Sequence, residues 1–134
     1  MAAGYSGTPL AKKLGFKTGE LLWASGMPAS VKNVLDAEAR PRYLARPTKV
    51  LAAAHIFHVN AVKLEAELEG LRGKLAPDGM IWVSWPKKAA KAETDITEDT
   101  IRKVALPMGY VDVKVCAVDE TWSGLKLVIR KTLR

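Results

Sequence analysis

The chain has 134 residues, and its 21 Lys and Arg against 14 Asp and Glu give a formal charge of +7. Hydrophobic residues make up 49% and charged residues 26% of the chain, a balance that excludes disordered and fibrous proteins. The length predicts a single domain over residues 1–134, which buries roughly two thirds of its unfolded surface and needs neither a disulfide nor a metal to fold.

The first predicted element is a short helix in residues 8–15. Thr8 is a candidate N-cap, and Pro9 suits the first helical position, where no N–H group is needed. Gly15 is a typical C-cap because glycine adopts the left-handed conformation that often ends a helix.

A buried strand, a helix and an irregular segment follow. Residues 21–24 are a short continuous apolar run that ends in the turn 25–28, which is typical of a buried parallel strand. Ser30 is a candidate cap for the next helix. Residues 38–47 contain two prolines and three arginines, so we expect a connection without regular structure there.

The middle of the chain alternates strands with helices. Residues 54–59 form a β-rich run, and Asn60 after them is a good N-cap. Four leucines at helical spacing then predict an amphipathic helix: Leu64, Leu68, Leu71 and Leu75. A turn at 77–79 leads into the apolar strand 80–85, and residues 97–99 open a further helix with acidic residues at its positive end.

The last quarter predicts a β-hairpin. Residues 110–118 and 125–130 alternate between apolar and polar side chains, as half-exposed strands do. The connection 119–124 is too short for a parallel crossover, so the two strands should pair in antiparallel fashion. The whole pattern predicts an α/β fold of Rossmann-like, three-layer form, whose mostly parallel sheet ends in an antiparallel β-hairpin.

Cysteine usage and the lack of targeting signals favour the cytoplasm. Cys116 is the only cysteine, so no internal disulfide is available. The amino terminus has neither the basic nor the apolar region of a secretory signal. The longest apolar stretch, residues 50–62, is interrupted by two histidines and falls short of the ~20 residues of a membrane span. We expect a cytoplasmic protein that does not enter the membrane.

A candidate site lies at the carboxyl ends of the parallel strands, where ligands of such folds bind. Four loops should meet there: residues 25–28, Asn60, 85–88 and 119–124. The last two loops supply the candidate ligand-binding residues: Trp85, Lys87, Lys88, Asp119, Trp122 and Ser123. In this hypothesis the lysines hold an anion, the tryptophans form the apolar walls, and Ser123 or Asp119 orients the guest. The alternative is that both tryptophans cap the core and the lysines lie on a solvated turn.

Three segments carry a recognisable pattern: 4–15 (GYSGTPLAKKLG), 82–88 (WVSWPKK) and 115–127 (VCAVDETWSGLKL). Together they resemble a family of small bacterial proteins catalogued only as a domain of unknown function. The resemblance implies a bacterial, cytoplasmic protein. It supplies no catalytic residues, because that family has no established activity.

The order of elements also resembles the distal half of a class I methyltransferase, in which a parallel sheet ends in an antiparallel hairpin. Such enzymes approach S-adenosylmethionine with a glycine-rich turn after the first strand and hold its ribose with an acidic residue after the second. Here Gly26 is the only glycine of the first turn, and neither Asp nor Glu ends a recognisable second strand. We therefore predict no cofactor, and a degenerate methyltransferase-like enzyme is an alternative function.

Other catalytic and metal-binding patterns are also missing. His55 and His58 are three residues apart, so on a strand they face opposite sides, and the sequence offers no third ligand nearby. Cys116 on an alternating strand is best explained as a packing residue. Ser84 and Ser123 lie outside any G-x-S-x-G pattern. We predict neither a catalytic residue nor a metal site.

The favoured function is a non-catalytic module that binds a small anionic ligand or a protein partner. Nucleic acid is the rival partner, because the positive charge attracts phosphates and Trp85 beside Lys87 and Lys88 could stack on a base. However, the charge is scattered, and basic runs do not exceed two residues. The uncovered edge of the hairpin would also allow a homodimer.

Overall fold

The computed structural model describes residues 7–134 and contains one six-stranded sheet. The strands are β1 (Leu21–Ser25), β2 (Arg42–Tyr43), β3 (Leu51–Phe57), β4 (Leu75–Pro86), β5 (Tyr110–Ala117) and β6 (Trp122–Ile129). The α-helices are α1 (Leu10–Leu14), α2 (Ala29–Glu38), α3 (Ala61–Arg72) and α4 (Glu98–Ala105). Short 3-10 turns occupy residues 88–90, 106–108 and 131–133.

The sheet is parallel on one side and antiparallel on the other. Its strand order is β2-β1-β3-β4-β6-β5, in which β2, β1, β3 and β4 run parallel. Strand β6 pairs antiparallel with both β4 and β5. The predicted fold class, a mostly parallel sheet that ends in an antiparallel hairpin, is confirmed.

Helices cover both faces of the sheet, and each face has its own apolar cluster. One cluster joins Leu64 and Leu68 of α3 and Ile101 of α4 to strand residues such as Ile81 and Leu125. The other joins residues of α1 and α2 to the opposite face: Leu14, Leu35, Leu22, Phe57 and Trp82. The sheet is therefore the middle of three layers.

Three local predictions need correction. Pro9 rather than Thr8 occupies the N-cap position of α1, without a side-chain cap, whereas Gly15 ends the helix with φ 77° as predicted. Pro28 rather than Ser30 precedes α2. The segment 38–47, predicted to be irregular, contains β2, because its backbone binds β1 through Leu44 N to Leu22 O at 2.9 Å.

The start of β4 also differs from the prediction. Helix α3 ends at Arg72, so Leu75 lies on the strand and not on the helix. Leu51 pairs with Leu75, but Ala53 already pairs with Met80, so the predicted turn at 77–79 is an irregularity within the strand. The predicted cap of α3 is confirmed, since the Asn60 side chain accepts a hydrogen bond from Lys63 N. Residues 4–6 of the first resemblance segment lie outside the described residues.

Candidate functional site

Two of the four predicted loops touch at the carboxyl edge of the sheet. Pro86, the last residue of β4, pairs with Trp122, the first residue of β6. Lys87 N donates a hydrogen bond to Thr121 O at 2.8 Å. The loop after β4 and the β5–β6 connection therefore form one continuous backbone surface.

The two tryptophans of this edge lie on opposite faces of the sheet. Trp85 is directly opposite Ser123 in the β4–β6 pair and belongs to the cluster under α3 and α4. Trp122, one position along, packs against the other cluster and meets Phe57 edge-on, with ring centroids 5.1 Å apart. Because neighbouring strand residues point to opposite faces, the two rings cannot be the two walls of one pocket. The prediction that Trp85 and Trp122 form the two walls of one pocket is therefore wrong.

A cavity of about 690 Å³ lies on the α3 and α4 side of this edge. Trp85 is 7% exposed and Ile96 is 2% exposed, so the cavity borders the core there. The remaining lining comes from the loop after β4 and the start of α4: Pro86, Lys87, Lys88, Ala92, Thr94, Thr97, Glu98 and Asp99. We call this the Trp85 cavity. It contains three of the six predicted site residues, Trp85, Lys87 and Lys88.

The charges that line the Trp85 cavity differ in whether they form ion pairs within the chain. Glu98 and Asp99 accept hydrogen bonds from the Arg102 guanidinium at 2.9 and 3.1 Å. The third Arg102 donor binds Asp112 at 2.9 Å and holds the pKa of that carboxyl below its usual range. In residues 7–134, the ion pairs include neither Lys87 nor Lys88. Within the described residues, the lining charges that lack an ion pair are therefore the two ammonium groups.

The other three predicted site residues lie outside this cavity. Asp119 Oδ1 accepts hydrogen bonds from Thr121 N and Trp122 N, both at 2.8 Å, so its carboxylate closes the β5–β6 connection. Ser123 shares the face of Trp85, and Trp122 lies on the opposite face. The structure thus gives Asp119 and Trp122 structural contacts within the chain.

A polar cluster that the sequence did not reveal lies where β1 and β3 end. Glu67 of α3 binds His58 Nε2 at 2.6 Å through one carboxylate oxygen and Trp23 Nε1 at 2.9 Å through the other. The Ser25 side chain also hydrogen-bonds to this carboxylate. The only sequence signal for this cluster is that Glu67 lies between the buried positions Leu64 and Leu68 of α3.

The Glu67 carboxylate is held in its charged form. Burial would raise the pKa of Glu67, but the hydrogen bonds from His58, Trp23 and Ser25 outweigh burial and lower it. None of the hydrogen bonds within residues 7–134 uses His58 Nδ1, and this atom is not among the buried unpaired ones. A carboxylate that fixes one ring nitrogen and leaves the other open is an arrangement that orients an imidazole for hydrogen bonding.

Solved structures with a similar fold include S-adenosylmethionine-dependent methyltransferases. A SAM-dependent methyltransferase from Aquifex aeolicus is similar with a TM-score of 0.63 at 12% identity, over 90% of this chain and 87% of that chain. A TehB-like SAM-dependent methyltransferase from Corynebacterium glutamicum is similar with a TM-score of 0.54 at 10% identity, over 96% and 91%. A structure described as a pericyclic reaction enzyme is similar with a TM-score of 0.54 at 8% identity, over 90% of this chain and 39% of that chain.

These similarities show the fold and leave the reaction open. The chain has the class I methyltransferase fold, and it covers most of the first two chains, so the predicted likeness to a distal half was too narrow. Neither a family model nor a curated protein matches the chain. Its membership of the uncharacterised bacterial family stays a prediction.

The residues at the corresponding edge do not fit the predicted S-adenosylmethionine fingerprint. Gly26 has φ 64°, and an added Cβ would lie 2.9 Å from Phe57 O, so packing against β3 explains this glycine. Strand β2 ends at Tyr43, and the residues that follow it up to position 47 include neither Asp nor Glu. The Tyr43 hydroxyl instead donates to Asp36 at 2.8 Å.

Residues 7–134 contain neither a cluster of metal-binding side chains nor a helix suited to a membrane. These residues contain no group of three or more potential metal-binding side chains, and none of their helices is long and apolar enough to cross a membrane. As predicted for a strand, His55 and His58 point to opposite faces: His55 contacts Ser84 and His58 contacts Glu67.

Proposed function

We propose that this protein is a non-catalytic binding module that takes a small organic anion in the Trp85 cavity. The observation that carries this proposal is that, within the described residues, the two lysines of the cavity lining form no ion pair while its two carboxylates do. Glu98 and Asp99 both form ion pairs with the single guanidinium of Arg102, which also binds Asp112, whereas Lys87 and Lys88 form no ion pair within the described residues. An anion would supply the missing partner for both ammonium groups.

The cavity also offers neutral groups that suit an organic ligand. The indole N–H of Trp85 takes part in none of the hydrogen bonds described for residues 7–134, and a tryptophan at a cavity wall provides apolar surface and one donor. A volume of about 690 Å³ is in the range of small-molecule sites.

A thermal-shift panel tests this proposal. The wild-type protein is heated with mono-, di- and tricarboxylates at millimolar concentration, and a ligand that binds the folded state raises the unfolding temperature. For the best anion, Lys87→Ala with Lys88→Ala should weaken affinity about tenfold or more, because hydrogen bonds to charged groups contribute roughly 1.5–3 kcal/mol. The fold should persist, since Lys87 is half-buried and Lys88 exposed.

A matched control removes the same charge elsewhere. Lys103→Ala with Lys131→Ala deletes two exposed lysines outside the cavity lining. Affinity should stay within about twofold of wild type in this control, because long-range surface charge is screened by salt. The proposal is wrong if both double variants lose the same affinity. It is also wrong if none of the carboxylates raises the unfolding temperature of the wild-type protein.

The second candidate is a degenerate S-adenosylmethionine-dependent enzyme, which the fold similarity favours. Its test is the same panel with S-adenosylmethionine as an added arm. Because the glycine-rich turn and the acidic residue after β2 are missing, we expect no shift at millimolar cofactor. If S-adenosylmethionine raises the unfolding temperature of the wild type and of the Lys87→Ala, Lys88→Ala variant alike, this candidate is favoured over the anion-binding module.

A further inference from the structure

Two lysines stand directly opposite each other on neighbouring strands. Lys114 of β5 pairs with Lys126 of β6, and Lys126 in turn pairs with the buried Trp82 of β4. Like charges at directly opposed positions of an antiparallel pair destabilise a sheet. This pair therefore works against the fold in the absence of a counter-charge.

A third ammonium group lies beside this pair. Lys13 Nζ donates to Ala117 O at 2.8 Å, and Lys114 Nζ donates to Lys13 O at 3.5 Å, so α1 brings Lys13 over β5. Both ammonium groups act on the nearby Cys116 thiol. Burial raises the pKa of this thiol, while the positive charges of Lys13 and Lys114 oppose that increase. Three cationic side chains thus share the α1 side of the β5–β6 hairpin.

Two carboxylates lie near Lys126, but within residues 7–134 they form no ion pair with either lysine of the opposed pair. Among residues 7–134, the ion pairs include neither Lys114 nor Lys126. Glu20 and Asp78 line a cavity of about 300 Å³ together with Lys126, yet neither forms an ion pair with it. Lys126 is half-buried and Lys114 is exposed, so both are within reach of a dissolved ligand.

We infer that Lys114 and Lys126, with Lys13 beside them, form a second binding site, one that holds a phosphate group. Directly opposed strand residues have Cβ atoms roughly 4.5–5.5 Å apart, so two lysine side chains can converge on one oxyanion. Lysine binds phosphate as a point charge with three donors, and a phosphate between the two ammonium groups replaces their repulsion by attraction. In natural proteins, departures from local stability rules are expected mainly at functional or strained sites.

The test compares phosphate binding in matched variants. The probe is inorganic phosphate, with pyrophosphate as a second probe, measured by thermal shift against sodium chloride of equal ionic strength. Lys126→Gln should weaken phosphate affinity about tenfold, and Lys114→Gln similarly, because each removes one charge-assisted contact. Lys103→Gln, which deletes an exposed lysine of α4 on the other side of the sheet, should stay within about twofold of wild type.

A second readout separates this site from ordinary surface charge. In low salt without phosphate, Lys126→Gln should raise the unfolding temperature, because it removes the like-charge contact, whereas Lys103→Gln should not. Phosphate should then cancel this difference by stabilising the wild-type protein. If phosphate stabilises wild type, Lys126→Gln and Lys103→Gln equally, or stabilises none of them, the inference is overturned.

A further arm identifies the source of the phosphate group. A short mixed-sequence single-stranded oligonucleotide is titrated in the same buffers. Tighter binding of the oligonucleotide than of pyrophosphate, with loss in Lys126→Gln, assigns the site to a nucleic-acid backbone. Binding of pyrophosphate alone, with the same loss, assigns it to a small phosphorylated molecule. Because the Trp85 cavity lies on the other side of the sheet, failure here leaves the proposed function standing.

Discussion

His55 is a titratable side chain deep in the core. It is fully buried, and its ring lies 4.3 Å from the Phe57 ring and 6.0 Å from the Phe16 ring, between centroids. Nε2 shares a hydrogen bond with Ser84 Oγ at 2.8 Å, while Nδ1 is buried with no partner among the described residues. Burial lowers the pKa of His55 to about 3, so the ring is neutral in the folded protein at neutral pH.

This histidine should make the fold sensitive to acid. In the unfolded chain its pKa is near 6.5, so between about pH 6.5 and pH 3 the unfolded state binds more protons than the folded state. Its contribution to stability is complete above pH 6.5, and the free energy of unfolding should fall below that by up to about 1.4 kcal/mol per pH unit. Urea unfolding between pH 5 and 7, where few carboxylates titrate, measures this slope.

A paired substitution assigns the slope to His55. His55→Phe with Ser84→Ala removes the titrating ring and its hydrogen-bond partner together, so the slope should flatten. Ile56→Val, at the next buried position, should lower the free energy of unfolding by about 0.5–1.5 kcal/mol and keep the wild-type slope. An unchanged slope in the His55→Phe, Ser84→Ala protein would mean that another group is responsible.

At the scale of the elements, one carboxylate of α3 forms hydrogen bonds to β1 and to the residue after β3. Glu67 accepts hydrogen bonds from His58, Trp23 and Ser25, which come from the two neighbouring strands or the residue after them. Glu67→Gln keeps the shape but removes the charge and one acceptor. We expect a loss of about 1–3 kcal/mol in the free energy of unfolding at pH 7, because partly buried donors lose their acceptor.

The pH dependence gives a second check on this carboxylate. Because the pKa of Glu67 is lowered on folding, its contribution is present above its ordinary value of 4.5 and is lost as the pH falls below it. Glu65→Gln, at an exposed position on the same helix, should change stability by less than about 0.5 kcal/mol. Equal effects of the two substitutions would contradict the structural role of Glu67.

The irregular start of β4 depends on one glycine. A Cβ added at Gly79 would lie 2.7 Å from Leu51 O and 2.7 Å from Leu75 Cδ1, and the backbone oxygen cannot move without disturbing the β3–β4 pair. Gly79→Ala should therefore destabilise the protein by about 1–3 kcal/mol. In α3, Gly70 meets nothing within 4 Å, so Gly70→Ala should stabilise by roughly 0.5–1 kcal/mol. Chemical denaturation measures the free energy of unfolding of both variants. A Gly79→Ala protein as stable as the wild type would disprove the close contact of position 79 with Leu51 O and Leu75.

Elements with a strong local signal were predictable, and those set by pairing were not. Helix α3 follows from the spacing of Leu64, Leu68 and Leu71, and its cap from Asn60, because both signals lie within a few residues. Strand β2 has only two residues, and its strand conformation comes from backbone hydrogen bonds to β1. Such bonds join distant parts of the chain, so residues 38–47 carry no pattern that reveals them.

On the scale of the whole molecule, the sheet edge was predictable but its division into two faces was not. The order of strands and helices places the ends of β1, β3 and β4 at one edge, and the hairpin connection joins them. Whether Trp85 and Trp122 share a face depends on the register of β4 against β6. A shift of one residue exchanges the faces, and the sequence of one strand does not contain the register of its neighbour.

Tryptophan signals test the anion-binding account most directly. The chain has four tryptophans, and each indole N–H gives its own signal in a proton–nitrogen NMR spectrum of the labelled protein. Titration with the best carboxylate of the panel should move the Trp85 signal, together with the backbone signals of Lys87 and Lys88. The signal of Trp122, on the opposite face, should stay in place. Movement of Trp122 while Trp85 stays fixed would contradict a binding site in the Trp85 cavity.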